Sequence, residues 1–260
     1  MVRAIIILVG AYLLVLSALH LYQEKIIFNS SAIEILPEVE GKNIEHITFE
    51  CEDGSMLDGV YKKATVANAP LLLYFGGNAD DATRFVLHVE GIENYDMVAF
   101  NYRGYVRSTG KPSEKSLFED ALKIYDTYAK GKKVVLVGRS LGTGVATFVA
   151  SKRQTQGLVL ITPYDSIASV AQRKYPIFPI ASMIKHKFET IRYIGDVHAK
   201  IAVIEVENDK TIPVYHLKKL LEKMPKEPLH VKLANTTHGR VLEHADFEDE
   251  MKKILGKISE

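Results

Sequence analysis

Lys133-Val134-Val135-Leu136-Val137-Gly138-Arg139-Ser140-Leu141-Gly142-Thr143-Gly144 joins an apolar run to a helix-compatible stretch that continues to Lys152. An apolar run without alternation reads as a strand covered on both faces. The pentapeptide Gly138-Arg139-Ser140-Leu141-Gly142 therefore falls at a strand-to-helix corner. A G-x-S-x-G turn there strains the serine backbone and lifts its hydroxyl above the sheet, and the two glycines leave room for the tight bend. The bland alternative is a glycine-framed turn without chemistry, and the strand before it and helix after it weigh against that reading.

Working outward, Leu71 to Phe75, Met97 to Asn101, Leu158 to Ile161 and Ile201 to Val206 are further short apolar runs, with Leu229 to Leu233 a weaker one. Helix-length segments separate them: Ala79 to Glu90, Leu117 to Lys130, Leu141 to Lys152, Val214 to Lys223 and Phe247 to Lys257. This alternation specifies an α/β fold with a mostly parallel sheet and helices on both faces. Upstream, Ile44 to Cys51 and Met56 to Lys62 flank Asp53-Gly54-Ser55 and read as an antiparallel hairpin. Ser116-Leu117-Phe118-Glu119 has the form of a capping box, so a helix is expected to begin there. Pro163 to Asp196, with Pro176 and Pro179 at its middle, breaks the alternation and reads as a helical cap; a ragged crossover helix is the alternative.

The chain has 260 residues, 47% of them apolar, enough for one globular domain with a sizeable core. Its 33 basic and 32 acidic residues leave a formal charge of +1 and no broad field for nucleic acid. Cys51 is the single cysteine, so no internal disulfide forms, and its acidic neighbours Glu50, Glu52 and Asp53 disfavour a thiolate. Nothing in the residues sets an oligomeric state.

From Ala4 to Tyr22 no residue is charged. About 20 apolar residues span a bilayer as a helix, so residues 1–25 are expected to form a transmembrane anchor ahead of a domain over residues 40–260, with the cap at about 163–196. A cleaved signal is the rival, against which Ser17-Ala18-Leu19-His20 is a poor small-x-small junction. Arg3 on one side, and Lys25 and Lys42 on the other, orient the segment weakly, with the amino terminus inside and the domain on the extracytoplasmic face.

A serine hydroxyl needs a base within hydrogen-bond reach, and the base needs a third group to fix its tautomer. Asp209 follows the Ile201 to Val206 run, and His238 follows the last strand. Loops after parallel strands gather on one sheet edge, so both can converge on Ser140. Asp165 is a second candidate acid and His244 a rival base, while His198, His216 and His230 read as structural or solvent-facing. The backbone N–H of Leu141 and the loop residue Asn78, in Gly76-Gly77-Asn78-Ala79, are candidate oxyanion donors. If those glycines only turn the chain, Asn78 points its amide elsewhere. No H-E-x-x-H spacing or cysteine cluster occurs, and the chemistry is expected to need neither metal nor cofactor.

Tyr74-Phe75-Gly76-Gly77-Asn78-Ala79, Asn101-Tyr102-Arg103-Gly104-Tyr105, Gly138-Arg139-Ser140-Leu141-Gly142-Thr143-Gly144, Pro163-Tyr164-Asp165-Ser166 and Lys174-Tyr175-Pro176 together resemble the α/β-hydrolase superfamily. More narrowly they resemble the Bem46-like serine hydrolases, many of them membrane-anchored. The resemblance covers roughly residues 40 to 257. It implies the α/β-hydrolase fold, a triad on Ser140, Asp209 and His238, and an oxyanion hole on Asn78 and Leu141. Gly76 stands where relatives often have histidine, and Val106 where they usually have glycine; a β-branched residue dislikes positive φ, so that loop is expected to be reshaped. The implied activity is hydrolysis of an ester or thioester of an acylated or small-molecule substrate, with membrane lipid met through the anchor. A peptidase of the same fold and a non-catalytic binding module remain open. Aromatic residues of the cap could line an acyl pocket or simply pack it, and Lys185-His186-Lys187 reads as solvated surface.

Overall fold

Residues Leu71–Phe75 and Val134–Arg139 pair in parallel, with Leu73 opposite Leu136 and Phe75 opposite Gly138, in a computed structural model that describes residues 1–260. They are β3 and β5 of an eight-stranded sheet ordered β1-β2-β4-β3-β5-β6-β7-β8. The remaining strands are β1 (Ile44–Glu50), β2 (Met56–Lys62), β4 (Asp96–Phe100), β6 (Gly157–Ile161), β7 (Lys200–Val206) and β8 (Leu229–Leu233). The expected hairpin pairs β1 with β2, and β2 adds antiparallel to β4; every other neighbour is parallel.

Successive side chains of a strand point to opposite faces, and the core divides accordingly. Leu71, Leu73 and Phe75 enter one apolar cluster while Leu72 and Tyr74 enter the other. The first cluster is covered by α3 (Glu114–Tyr128), α4 (Leu141–Lys152) and α8 (Val214–Leu221), the second by the short α2 (Phe85–His88) and by α9 (Phe247–Ser259). The parallel strands all end on one sheet edge, where their loops meet.

Two helix starts differ from expectation. The α3 helix begins at Glu114, not at Ser116, because Ser113 is the cap: its hydroxyl accepts from Ser116 N at 3.0 Å, while Ser116 Oγ accepts from Ser113 N at 2.9 Å. Ser116 is thus the reciprocal partner of an earlier cap. The Ala79 to Glu90 segment yields only a 3-10 turn, Ala82–Arg84, and one α turn. Ala79 has φ 56°, and the Asp81 carboxylate accepts from Thr83 N at 3.1 Å, local bonds that compete with a longer helix.

Residues 163–196, the stretch expected to be a cap, carry three short helices, α5 (Ile167–Lys174), α6 (Ile180–Met183) and α7 (Thr190–Tyr193). Glu114 holds it down by accepting from Lys187 N at 2.8 Å and Phe188 N at 2.9 Å. Phe188 is fully buried and meets Phe118 edge-on at 5.6 Å. Lys185 and His186 are tied to other elements and are not simply solvated: Lys185 N donates to Gln23 Oε1 at 2.7 Å, and His186 Nδ1 accepts from Glu114 N at 3.3 Å.

The amino-terminal α1 (Val2–Ile27) has an 18-residue window of mean hydropathy 2.5, none of it buried, and is long and apolar enough to cross a membrane. Cys51 is buried, and burial first, then the nearby Asp120 carboxylate, push its thiol up to about 12. Arg103, in the Asn-Tyr-Arg-Gly-Tyr stretch, grips Asp120 with two bonds of 2.7 and 2.9 Å and also reaches Asp53. Truncation by Arg103→Ala strands the buried Asp120 carboxylate and is expected to destabilise the fold by roughly 3–5 kcal/mol. Chemical denaturation should read this against Asp53→Ala, which removes only the exposed, solvent-screened partner of Arg103 and should change stability far less.

Candidate active site

The β5 strand ends at Arg139, and Ser140 follows with φ 47° and ψ −117° before α4 begins at Leu141. Few non-glycine residues take such a backbone, and one held there stores strain. The corner is fixed from both sides. Ser140 N continues the pairing with β6 by donating to Ile161 O at 2.9 Å, and Thr143 returns its hydroxyl to Ser140 O at 2.7 Å. A Cβ on Gly138 would overlap the Gly142 carbonyl, and one on Gly142 would overlap the Phe75 carbonyl of the neighbouring strand. Only glycine permits this approach.

Ser140 Oγ lies 2.8 Å from His238 Nε2, and His238 Nδ1 lies 2.7 Å from Asp209 Oδ2. Since the carboxylate only accepts, Nδ1 carries the imidazole proton, which leaves Nε2 to accept from the serine. Asp209 is held by its own loop after β7: Oδ1 accepts from Thr211 N and Ile212 N, both at 2.8 Å. The His238 side chain is 12% exposed and that of Asp209 7%, so the pair is shielded but open to a small reactant.

The alternatives at this edge are engaged elsewhere. His244 Nε2 donates to Ala234 O at 3.1 Å while Nδ1 accepts from Asp246 N. Asp165 pairs with His216 Nδ1 at 2.8 Å, beneath α5 and α8, where His216 is fully buried and its Nε2 has no partner. His216 is a structural core residue, His230 pairs with Glu205 at 2.9 Å, and His198 is exposed.

The loop after β3 lies against the serine: a Cβ on Gly77 would sit 3.4 Å from Ser140 Cβ. The backbone N–H groups of Asn78 and Leu141 have no acceptor among the loop and turn bonds. The Asn78 side chain turns away from the serine. It donates to Ile26 O at 3.3 Å and accepts from Asn29 N at 2.7 Å and Tyr105 OH at 3.2 Å. This is the orientation expected if Gly76 and Gly77 only turn the chain, and it leaves the side chain of Asn78 out of reach as an oxyanion donor.

A second network, which no local sequence signal announced, braces the site. Asp80 Oδ2 accepts from Gly77 N and Tyr74 OH, both at 3.0 Å, and lies 3.0 Å from the Arg139 guanidinium. Arg139 in turn donates to the carbonyls of His238 at 3.2 Å and Gly239 at 2.8 Å. The variable position of the pentapeptide thus ties the loop after β3 to the histidine loop. Burial first, then Asp80, hold the Tyr74 hydroxyl well above the ordinary tyrosine range, so it stays a donor. Val106 has φ 49°, so its loop bears backbone strain at a β-branched residue.

No family model matches the chain. An uncharacterised protein of Mycobacterium tuberculosis is 31% identical over 195 residues, 70% of this chain and 66% of that one. The lysophosphatidylserine lipase ABHD12 of Rattus norvegicus is 32% identical over 184 residues, 60% of this chain and 46% of that one. The match thus spans about two thirds of the first relative and about half of the second. Among solved structures, an alpha-beta hydrolase of Vibrio vulnificus aligns with TM-score 0.69 at 18% identity over 92% of this chain and 91% of that one. An esterase of Pyrococcus furiosus aligns with TM-score 0.61 at 16% identity, covering 87% and 97%.

The Ser140 backbone angle has a measurable consequence. Ser140→Ala and Ser140→Gly both lack the hydroxyl, yet glycine relaxes at φ 47°. The glycine variant is expected to match or exceed the alanine variant by up to about 1 kcal/mol in thermal denaturation, whereas at an ordinary φ it would be the less stable of the two.

Proposed function

This chain belongs to the α/β-hydrolase family, and we propose that within it the protein is a serine hydrolase of carboxylic esters or thioesters, working through an acyl-enzyme on lipid-like substrates. The continuous hydrogen-bonded chain from Ser140 Oγ through His238 to Asp209 carries this reading. The lipase and esterases among its relatives and structural neighbours support it. Ser140 Oγ attacks the acyl carbonyl carbon while its proton passes to His238 Nε2. Asp209 holds the imidazole in the required tautomer and stabilises the imidazolium that forms.

The carbonyl oxygen takes up negative charge as the tetrahedral intermediate forms, and the Leu141 and Asn78 backbone N–H groups are the donors proposed to receive it. Collapse breaks the bond to the leaving oxygen or sulfur, which takes the proton from His238. Water then gives a proton to the same imidazole, adds to the acyl carbon and frees the acid, and the proton returns to Ser140. Every proton is accounted for on one imidazole, so the cycle closes without a metal or cofactor. We place α1 across a membrane as an anchor, with the domain on the extracytoplasmic side, so that acylated or lipid substrates lie close to the site.

In the full-length protein in detergent, Ser140→Ala should abolish labelling by a fluorophosphonate probe and lower hydrolysis of short acyl esters by roughly a thousandfold or more. Asp209→Asn, which disturbs the tautomer, should lower kcat by about 10³ to 10⁴. Undiminished turnover by Ser140→Ala would sink the reading.

A further inference from the structure

The segment that carries the candidate base has few holds of its own. Ala234, Asn235, Thr237 and Gly239 are exposed, Asn235 takes φ 57°, and a Cβ on Gly239 would meet nothing within 4 Å. Firm packing begins only at Val241 and Leu242, both buried. Between Ala234 and Glu243 the backbone exchanges side-chain hydrogen bonds with two residues only, His244 just beyond the segment and Arg139. The loop after β3 is better fixed. Tyr102 OH donates to Gly76 O at 2.9 Å, and Gly77 N donates to Asp80 Oδ2 at 3.0 Å.

Arg139 carries that fixity across the serine. Its Nη1 lies 3.0 Å from Asp80 Oδ2, and its Nη2 donates to His238 O at 3.2 Å and Gly239 O at 2.8 Å. One planar guanidinium therefore spans from loop to loop. A lysine ammonium is a point charge on a flexible stem and lacks this fork.

The bland reading is a core ion pair kept for stability, and two observations oppose it. Arg139 Nε is buried without a partner, and buried ion pairs are often no more stabilising than well-packed apolar side chains. An apolar side chain could pack at position 139, but it could not bond two carbonyls of the histidine loop. Neither Arg139 nor Asp80 bonds Ser140 Oγ, whose partner is His238 Nε2. Any effect on chemistry must pass through the groups they hold.

We propose that Asp80 and Arg139 form a positioning clamp, which fixes the histidine loop against the loop after β3 so that base and oxyanion donors meet Ser140 together. The proposal deepens the hydrolase reading and rests on it for the reaction served, whereas the clamp rests on the bonds alone. Both are positioning residues and touch no reacting atom. A misplacement of about 1 Å at a reacting group can cost about 10²-fold in rate. Since the clamp makes no contact with substrate, its loss falls on kcat and spares KM.

The test uses the full-length protein in detergent with a short acyl ester. Arg139→Met is expected to lower kcat by roughly a hundredfold with KM within about threefold. Arg139→Lys keeps the charge and gives up the fork, so it should fold and still lose at least about tenfold in kcat. Asp80→Asn should also lower kcat, and combined with Arg139→Met it should cost little more than the worse single change, because parts of one unit do not add. Arg139→Ala should regain kcat saturably with guanidinium chloride far below denaturing concentrations, whereas Arg139→Met, which fills the space, should not. A brace for stability alone would show neither the split between kcat and KM nor the rescue. Hydrogen exchange reads the clamp without chemistry: Asp80→Asn should speed exchange across residues 235–241, although Asp80 itself bonds none of them. The proposal fails if Arg139→Met and Arg139→Lys keep the parental kcat, if the losses add, if guanidinium leaves Arg139→Ala unchanged, or if exchange in the histidine loop of Asp80→Asn is unaltered. Each of these leaves the hydrolase reading standing. A parental protein that hydrolyses no ester, yet shows the exchange coupling, would overturn the hydrolase reading and uphold the clamp.

Discussion

No side chain fits between the first turn of α4 and the end of β3. Gly142 meets the carbonyls of Phe75 and Gly76 backbone to backbone, and Gly138 meets Gly142 in the same way. This contact forces Ser140 into its φ of 47° and sets the loop after β3 against the serine. The strain is sustained because the sheet is bonded on both sides of the corner, from Phe75↔Gly138 to Arg139↔Ile161. A local residue preference is overridden by the surrounding ladder, as is usual where a backbone stores strain.

The same corner explains how parts far apart in sequence keep their distances. Arg139 lies on the strand that presents Ser140, and its guanidinium bridges the Asp80 carboxylate and the carbonyls of His238 and Gly239. A charged group that is only 12% exposed stays only with such partners. Asp80 spends its oxygen on Gly77 N and Tyr74 OH as well. Movement of the histidine loop would thus be felt by the loop after β3 through two charged side chains. The candidate base and the candidate oxyanion donors are positioned by one network.

Much of this was legible in the residues. Buried parallel strands are continuous apolar runs, and their carboxyl ends share an edge, so Ser140, Asp209 and His238 could be brought together from their places after β5, β7 and β8. The pairs that escaped reading are those without a local pattern. Nothing near Asp80 names Arg139, and nothing near Asp165 names His216, because a contact between loops depends on the three-dimensional approach of elements. Ser116 misled for a related reason: Ser113 and Ser116 can each serve as a cap, and Ser113 takes that place with Ser116 as its partner three residues on. At Val106 the backbone takes φ 49° against the rule for a β-branched residue, beside Tyr102 and Tyr105, which are buried and packed edge-on at 5.5 Å.

The end of α1 escaped reading most completely. As a sequence it is an apolar segment followed by a linker, and such a segment is normally assigned to the membrane and set aside. Its last turns instead carry Gln23 and Ile27, both buried, and lead to Phe28, which meets His186 and Phe188 of the cap edge-on. Ile26 and Asn29 then take both ends of the Asn78 side chain. The amide that sequence reading would aim at a substrate instead joins the end of α1 to the loop beside Ser140. The backbone N–H of Asn78 is left without an acceptor, while its side chain is held by the end of α1, by Asn29 and by Tyr105.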